Sequence, residues 1–238
     1  MINNELDVEA YRQQLATRGR VQIADFLQLD AAERLRDCLA REVHWTLAER
    51  SESTSRTRGR EQALTDAEYR QVLDTAYARA RDEFQFVYDS YMLVRARKEG
   101  WDPDLILHLV LEFLNSPEFI DFARYLTGDA TINAVNAQAT RYRPGHFLTP
   151  HDDSHEGEGR RYAYVINLSQ HWKPEWGGLL QFIDAAGNVI ETFAPRWNSL
   201  SLFRVPAVHA VSLVAPWAGE ERLAITGWFL AREGVKPD

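Results

Sequence analysis

From Ile132 onward the chain breaks into short runs punctuated by Gly, Pro and Asn, covering 132–142, 146–151, 161–169, 178–183, 188–193, 198–204, 208–214 and 222–230. This texture constrains the fold more than any other feature. Runs of this length bounded by turn residues read as strands, and about eight of them in roughly a hundred residues suggest a double-sheet jelly-roll barrel. The expected class is therefore α+β, a double-stranded β-helix with the N-terminal helices packed on one outer face.

The first 130 residues supply those helices. Asp7 to Leu15 has helical spacing and stops at Gly19, before a short strand at Val21 to Ile23. Asp30 with Glu33 resembles a capping box, after which Leu35, Cys38, Leu39 and Val43 share a helix face. A strand is expected at His44 to Leu47. Thr65 and Glu68 offer a second capping box, followed by the apolar stripe Tyr69, Val72, Leu73, Ala76 and Ala80. Leu105, Leu109 and Phe113 mark another helix beginning near Pro103, and Ser116-Pro117 opens one that ends before Gly128. The polar stretch Ser51 to Gln62, with Arg56, Arg58 and Arg60, reads as a loop. Phe84, Phe86, Tyr88 and Tyr91 read as strand or irregular core, with nothing to mark a cofactor box. The helices need a sheet to cover their stripes, so a single domain is expected: 1–130 mainly helical support, 131–230 the jelly-roll catalytic core, and 231–238 a tail.

Charge and cysteine content narrow the function. A net charge of −8 and a pI near 5.4 give no general attraction to nucleic acid or an anionic membrane. Lone Cys38 excludes an intrachain disulfide, and its place on the helix stripe makes it a core residue. With no basic-then-apolar leader and no apolar run of membrane-spanning length, a cytoplasmic protein is expected.

The chemistry is concentrated in RYRPGHFLTPHDD, Arg141 to Asp153. Strand alternation puts His151 and Asp153 on one face, two thirds of a facial triad for non-haem Fe(II), and turns Asp152 to the other side. His209 opens an apolar strand just after Pro206. Arg222 opens another in which period two aligns Arg222, Ala224, Thr226 and Trp228. An arginine on an apolar strand must be paired or at the rim, and a dicarboxylate would satisfy it. Arg204 competes for that role but precedes the His209 turn and is expected at the rim. His146, His155 and His171 lie in or near loops and are expected in solvent. Trp172, Trp176, Trp197 and Trp217 read as loop and core packing.

This ordered set resembles the Fe(II)/2-oxoglutarate-dependent dioxygenases, and within them the prolyl hydroxylases related to the animal oxygen-sensing enzymes. The resemblance runs from about Asn136 to Phe229 and weakly into the helical half. It rests on Tyr-x-Pro-Gly (142–145), His-x-Asp (151–153), Gly177-Gly178-Leu179 after Trp172, His209, and Arg222-x-Ala-Ile-Thr-x-Trp (222–228). It implies that His151, Asp153 and His209 hold the metal and that Arg222 meets the distal carboxylate of 2-oxoglutarate. Tyr142, with Gln138 and Thr140, would line the co-substrate pocket, as would Thr226 and Trp228. One departure stands out: where these hydroxylases usually carry a second tyrosine assisting the arginine, this chain has Asn167, leaving that contact to water, Tyr164 or Thr226.

The implied cofactor is Fe(II), with 2-oxoglutarate and O2 as co-substrates and ascorbate as an accessory reductant. The implied reaction is hydroxylation of a C–H bond, first of all in a prolyl residue of a protein or peptide. The alternatives are a free amino acid or small metabolite as substrate, or a non-catalytic 2-oxoglutarate- and metal-binding sensor. A cupin-like isomerase or zinc hydrolase would need no ketoacid. The glycine-rich segment Ser154 to Arg160 reads as a flexible connection, with a substrate lid as the alternative.

Overall fold

The computed structural model describes residues 1–51, 54–57 and 64–232. The N-terminal half comprises α1 (Val8–Arg18), β1 (Arg20–Ile23), α2 (Leu29–Arg41), β2 (Thr46–Ser51), β3 (Thr54–Thr57), α3 (Asp66–Arg79), β4 (Phe86–Tyr91), α4 (Leu93–Glu99), α5 (Leu107–Leu114) and α6 (Pro117–Thr127). The rest is β5 (Ala134–Val135), β6 (Gln138–Tyr142), β7 (Phe147–His151), β8 (Arg160–Asn167), β9 (Leu180–Ile183), β10 (Val189–Phe193), β11 (Ser199–Arg204), β12 (His209–Val211) and β13 (Arg222–Leu230). Each predicted run after Ile132 contains a strand.

The strands form one nearly closed antiparallel barrel in the order β1-β11-β8-β13-β6-β4-β7-β12-β9-β10, the double-stranded β-helix expected. Side chains close the seam between its ends: Arg18 and Arg20 both pair with Glu191 of β10, and Gln22 of β1 donates to the Ala194 carbonyl at 2.8 Å. Two strands of the barrel come from the N-terminal half. β1 extends β11, whereas β4 is inserted between β6 and β7, pairing Ser90 with Thr140 and Phe86 with Leu148.

Period two then divides every strand between the helices and the interior. Tyr162, Tyr164 and Ile166 of β8, with Leu223, Ile225 and Phe229 of β13, pack in the large core cluster under α1, α2, α4, α5 and α6. Helix α3 covers a separate cluster of Leu47, Val87 and Phe147 with its own Val72 and Ala76, so the helices cover the sheet in two patches. The capping box of α3 is present: the Thr65 hydroxyl accepts the Glu68 amide, and Glu68 accepts the Thr65 amide. Gly19 and Gly128 end α1 and α6 in the left-handed region, at φ 68° and 70°, where no side-chain penalty applies.

Several expectations fail locally. Helix α2 starts at Leu29 with Gln28 in the capping position and no side-chain cap, and Asp30 lies inside the first turn, where its charge complements the helix N-terminus. The stripe of α5 is Leu107, Val110 and Leu114, and Leu109 is 61% exposed, because spacing by four drifts off the buried face where 0, 3, 7 stays on it. The polar stretch 51–62 is not all loop: β3 pairs with β2 from Ala48↔Thr57 to Ser51↔Thr54. An edge ribbon need not be apolar to be extended, and threonine favours that backbone. Arg58 and Arg60 of that stretch, and 233–238 of the expected tail, lie outside the described residues. No described helix is long and apolar enough to cross a membrane.

Candidate metal and ketoacid site

His151 ends β7 and His209 begins β12, and the two are cross-strand partners, so the antiparallel register alone brings their rings to 4.1 Å between centroids. Asp153 reaches them differently from the expected alternation. β7 stops at His151, and Asp153 takes φ 62°, a left-handed turn that swings its carboxylate back beneath both rings. Its Oδ1 lies 3.4 Å from His151 Nε2 and its Oδ2 3.5 Å from His209 Nε2. Asp152 is exposed. These three residues are the one cluster among the described residues whose ligand atoms all lie within 4.8 Å of one another.

The tautomers suit a metal. His151 Nδ1 donates to the Thr149 carbonyl at 3.1 Å and His209 Nδ1 to the Ala207 carbonyl at 2.8 Å, leaving both Nε2 lone pairs aimed at the shared space. Burial pushes the His209 imidazole down to about 4, reinforced by His151 and opposed by Asp153, so it is neutral at physiological pH. Burial would raise the Asp153 carboxyl, but the His151 hydrogen bond and the neighbouring His209 outweigh it and hold the group below its usual range. The Trp228 indole N–H donates to Asp153 Oδ2 at 3.0 Å, and Arg160, stacked 3.7 Å over the Trp228 ring, donates to the Asp153 carbonyl at 3.2 Å. Two imidazoles and one carboxylate, with no further His, Cys, Asp or Glu among the described residues joining them, would suit a non-haem Fe(II) that keeps positions open for its co-substrates.

Deeper in the barrel, Arg222 is 3% exposed, has no carboxylate partner among the described residues, and leaves its Nε without a hydrogen-bond acceptor. Burial pushes its guanidinium pKa down, opposed by Tyr142. Thr140, whose hydroxyl is also unpartnered, and Gln138 line the same strand face as Tyr142. Thr226 faces Gln138 across β13 and β6, one step from Trp228. A buried, unpaired cation beside an orphaned hydroxyl fits a carboxylate ligand. Gly178 makes room for it, since a Cβ there would stand 3.2 Å from Arg222 Cδ and 3.1 Å from Trp172. Arg204 is at the rim, exposed and over the Tyr162 ring.

Asn167 does face the interior, but its amide donates to the hydroxyls of Ser199 at 3.1 Å and Ser201 at 3.3 Å. Tyr164 is no substitute: it is on the other face of β8, stacked on Phe229 under the helices, with its hydroxyl on the Asn136 carbonyl. His155 and His171 are exposed as expected, whereas His146 is fully buried, bonded to Tyr69 and to the Arg143 amide. Its place directly after the Pro144-Gly145 turn suggested solvent, but α3 lies over that turn. Sequence reasoning also missed the aromatic run: Phe84 lies 5.4 Å from His151, and Tyr88 stacks on Tyr142. The alternation Phe86, Tyr88, Ser90 groups these residues on one strand face, but only the pairing of β4 with β6 and β7 turns that face to the site.

The His/Asp/His cluster and the buried basic residue thus share one double-stranded β-helix. Residues 137–230 match the family model described as the 2OG-Fe(II) oxygenase superfamily. The chain is 34% identical over 121 residues to prolyl 3-hydroxylase OGFOD1 of Xenopus laevis, a match covering 47% of this chain and 23% of that protein. It thus spans about a quarter of the length of the curated relatives it matches. Among solved structures, a Pseudomonas putida prolyl-4-hydroxylase superposes with a TM-score of 0.58 at 23% identity, covering 95% of this chain and all 100% of that one. A Trichoplax adhaerens prolyl hydroxylase in complex with a hypoxia inducible factor peptide fragment superposes at 0.59 and 17% identity, covering 94% and 89%. These two likenesses speak for the fold.

Proposed function

We propose that this chain is an Fe(II)- and 2-oxoglutarate-dependent dioxygenase that hydroxylates a prolyl residue in a protein or peptide. The observation that carries the reading is the pairing of the His/Asp/His cluster with a buried arginine that has no acidic partner among the described residues. His151, Asp153 and His209 would hold the iron, and Arg222 would take the distal carboxylate of 2-oxoglutarate. When bound, the iron with 2-oxoglutarate and O2 supplies the oxidation: the ketoacid becomes succinate and CO2, and one oxygen atom enters the C–H bond. The chain's own work is placement. The carbonyls of Thr149 and Ala207 fix the two imidazoles, Trp228 orients Asp153, and the apolar lining of Ala163, Leu180, Phe182 and Phe203 excludes water.

The prolyl substrate rests on the OGFOD1 similarity, supported by an open cleft of about 320 Å³ at the barrel mouth. It is lined by Ser154, His155, Glu156, Arg160, Val205 and Pro206, next to Asp153 in the chain. The test is succinate release and a one-oxygen mass gain on candidate proline-containing peptides with Fe(II) and 2-oxoglutarate. Activity that survives His209→Ala combined with Asp153→Ala would sink the reading.

A further inference from the structure

Arg222 is buried with no counter-charge among the described residues, so something other than an ion pair fixes its position there. On one side its Cδ lies beside Gly178, where a Cβ would stand 3.2 Å from it. On the other, its guanidinium carbon lies 5.0 Å from the centre of the Tyr142 ring. Tyr142 in turn stacks on Tyr88, with ring centres 5.2 Å apart and planes 15° from parallel. Because β6 lies between β13 and β4 in the sheet, Tyr142 is flanked by Arg222 on one side and Tyr88 on the other. The opposite wall offers no such support, since Asn167 spends its amide on Ser199 and Ser201.

We infer that Tyr88 is a positioning residue of the ketoacid pocket, holding Tyr142 against Arg222 so that the guanidinium is preorganised for a carboxylate. The inference rests on the 2-oxoglutarate reading above. It makes β4, a strand from the mainly helical half, a working part of the site. Removing the ring frees Tyr142 to tilt, and Arg222 then samples orientations that the co-substrate must select at the expense of affinity.

The test is binding of 2-oxoglutarate to the Fe(II)-loaded full chain without oxygen, followed by calorimetry and by the visible absorption of the complex. Tyr88→Ala and the bulkier Tyr88→Leu are each expected to weaken 2-oxoglutarate about tenfold, the scale of a lost aromatic stack and its cation–π partner. Fe(II) affinity should stay within about twofold, because neither change touches a metal ligand. In turnover, KM for 2-oxoglutarate should rise while kcat at saturating co-substrate is kept. Tyr88→Phe keeps the ring and should stay within about threefold of wild type. Undiminished 2-oxoglutarate binding in the folded Leu variant, or an equal loss in Phe and Leu, overturns the inference alone. A wild type that gives no ketoacid-dependent signal overturns the site reading and this inference with it.

Discussion

Protonating His146 should destabilise the fold, and the size of the effect follows from its surroundings. The imidazole is 0% exposed. Its Nδ1 accepts the Arg143 amide N–H at 3.2 Å, so in the neutral ring Nε2 carries the proton and donates to Tyr69 Oη at 2.8 Å. A second proton would put a charge where Nδ1 is already facing an N–H. Burial pushes the pKa from 6.5 down to about 4, with Asp89 opposing and Arg143 and Arg141 reinforcing. The unfolded chain therefore binds a proton near the ordinary value while the folded chain does not. Stability falls as pH drops from about 6.5 to about 4 and levels off below. That gap, at about 1.4 kcal/mol per pH unit, is worth about 3 kcal/mol. Urea unfolding followed by circular dichroism, repeated across the window for wild type and His146→Gln, isolates the contribution. The amide cannot titrate but can still accept from Arg143. His209, also pushed to about 4, adds a slope of the same sign to both proteins and cancels in the difference. The stability gap between the two should shrink by about 3 kcal/mol towards low pH. A pH-independent gap would refute the reasoning.

Three further outcomes follow from the site. Arg222→Met should raise the thermal midpoint of the ligand-free protein, because an unpaired buried cation is replaced by an apolar chain, and should abolish stabilisation by 2-oxoglutarate in the same melting assay. Gly178→Ala sets a Cβ 3.1–3.2 Å from Trp172, Arg222 and Val214 at φ 62°, and should cost about 1–3 kcal/mol in chemical unfolding. Trp228→Phe keeps the ring but removes the N–H bonded to Asp153, and calorimetry should show Fe(II) affinity reduced about tenfold or more.

How much of this was legible in the sequence depends on whether local pattern or tertiary placement decides each feature. The strands after Ile132 were legible because turn residues bound them and period two divides their faces. That rule put Arg222, Thr226 and Trp228 inside the barrel. Thr65 and Glu68 were legible because a capping box is local chemistry. Asp30 and Glu33 had the same spacing and failed, since the chain entering α2 already turns at Gln28 and tertiary burial of Ala32 and Leu35 fixes the register. His146 failed for a related reason: a Pro-Gly turn says nothing about a helix lying over it.

The His/Asp/His cluster shows the same division within one motif. The spacing of His151 and Asp153 pointed to two side chains that do meet, but through a mechanism the chain does not use, since Asp153 has left the strand. What fixes its carboxylate is non-local: Trp228 lies 75 residues away and Arg160 stacks on that indole. Tyr88 was the harder case. Nothing within its own run distinguishes a tyrosine that faces a site from one that faces a core, and Tyr91 of the same strand is in the core beneath the helices. Only the insertion of β4 between β6 and β7 decides it, by setting Ser90 opposite Thr140 and so Tyr88 beside Tyr142. The division of the chain into support and catalytic core is therefore a division of sequence texture, and the pocket that would hold the ketoacid draws on both parts.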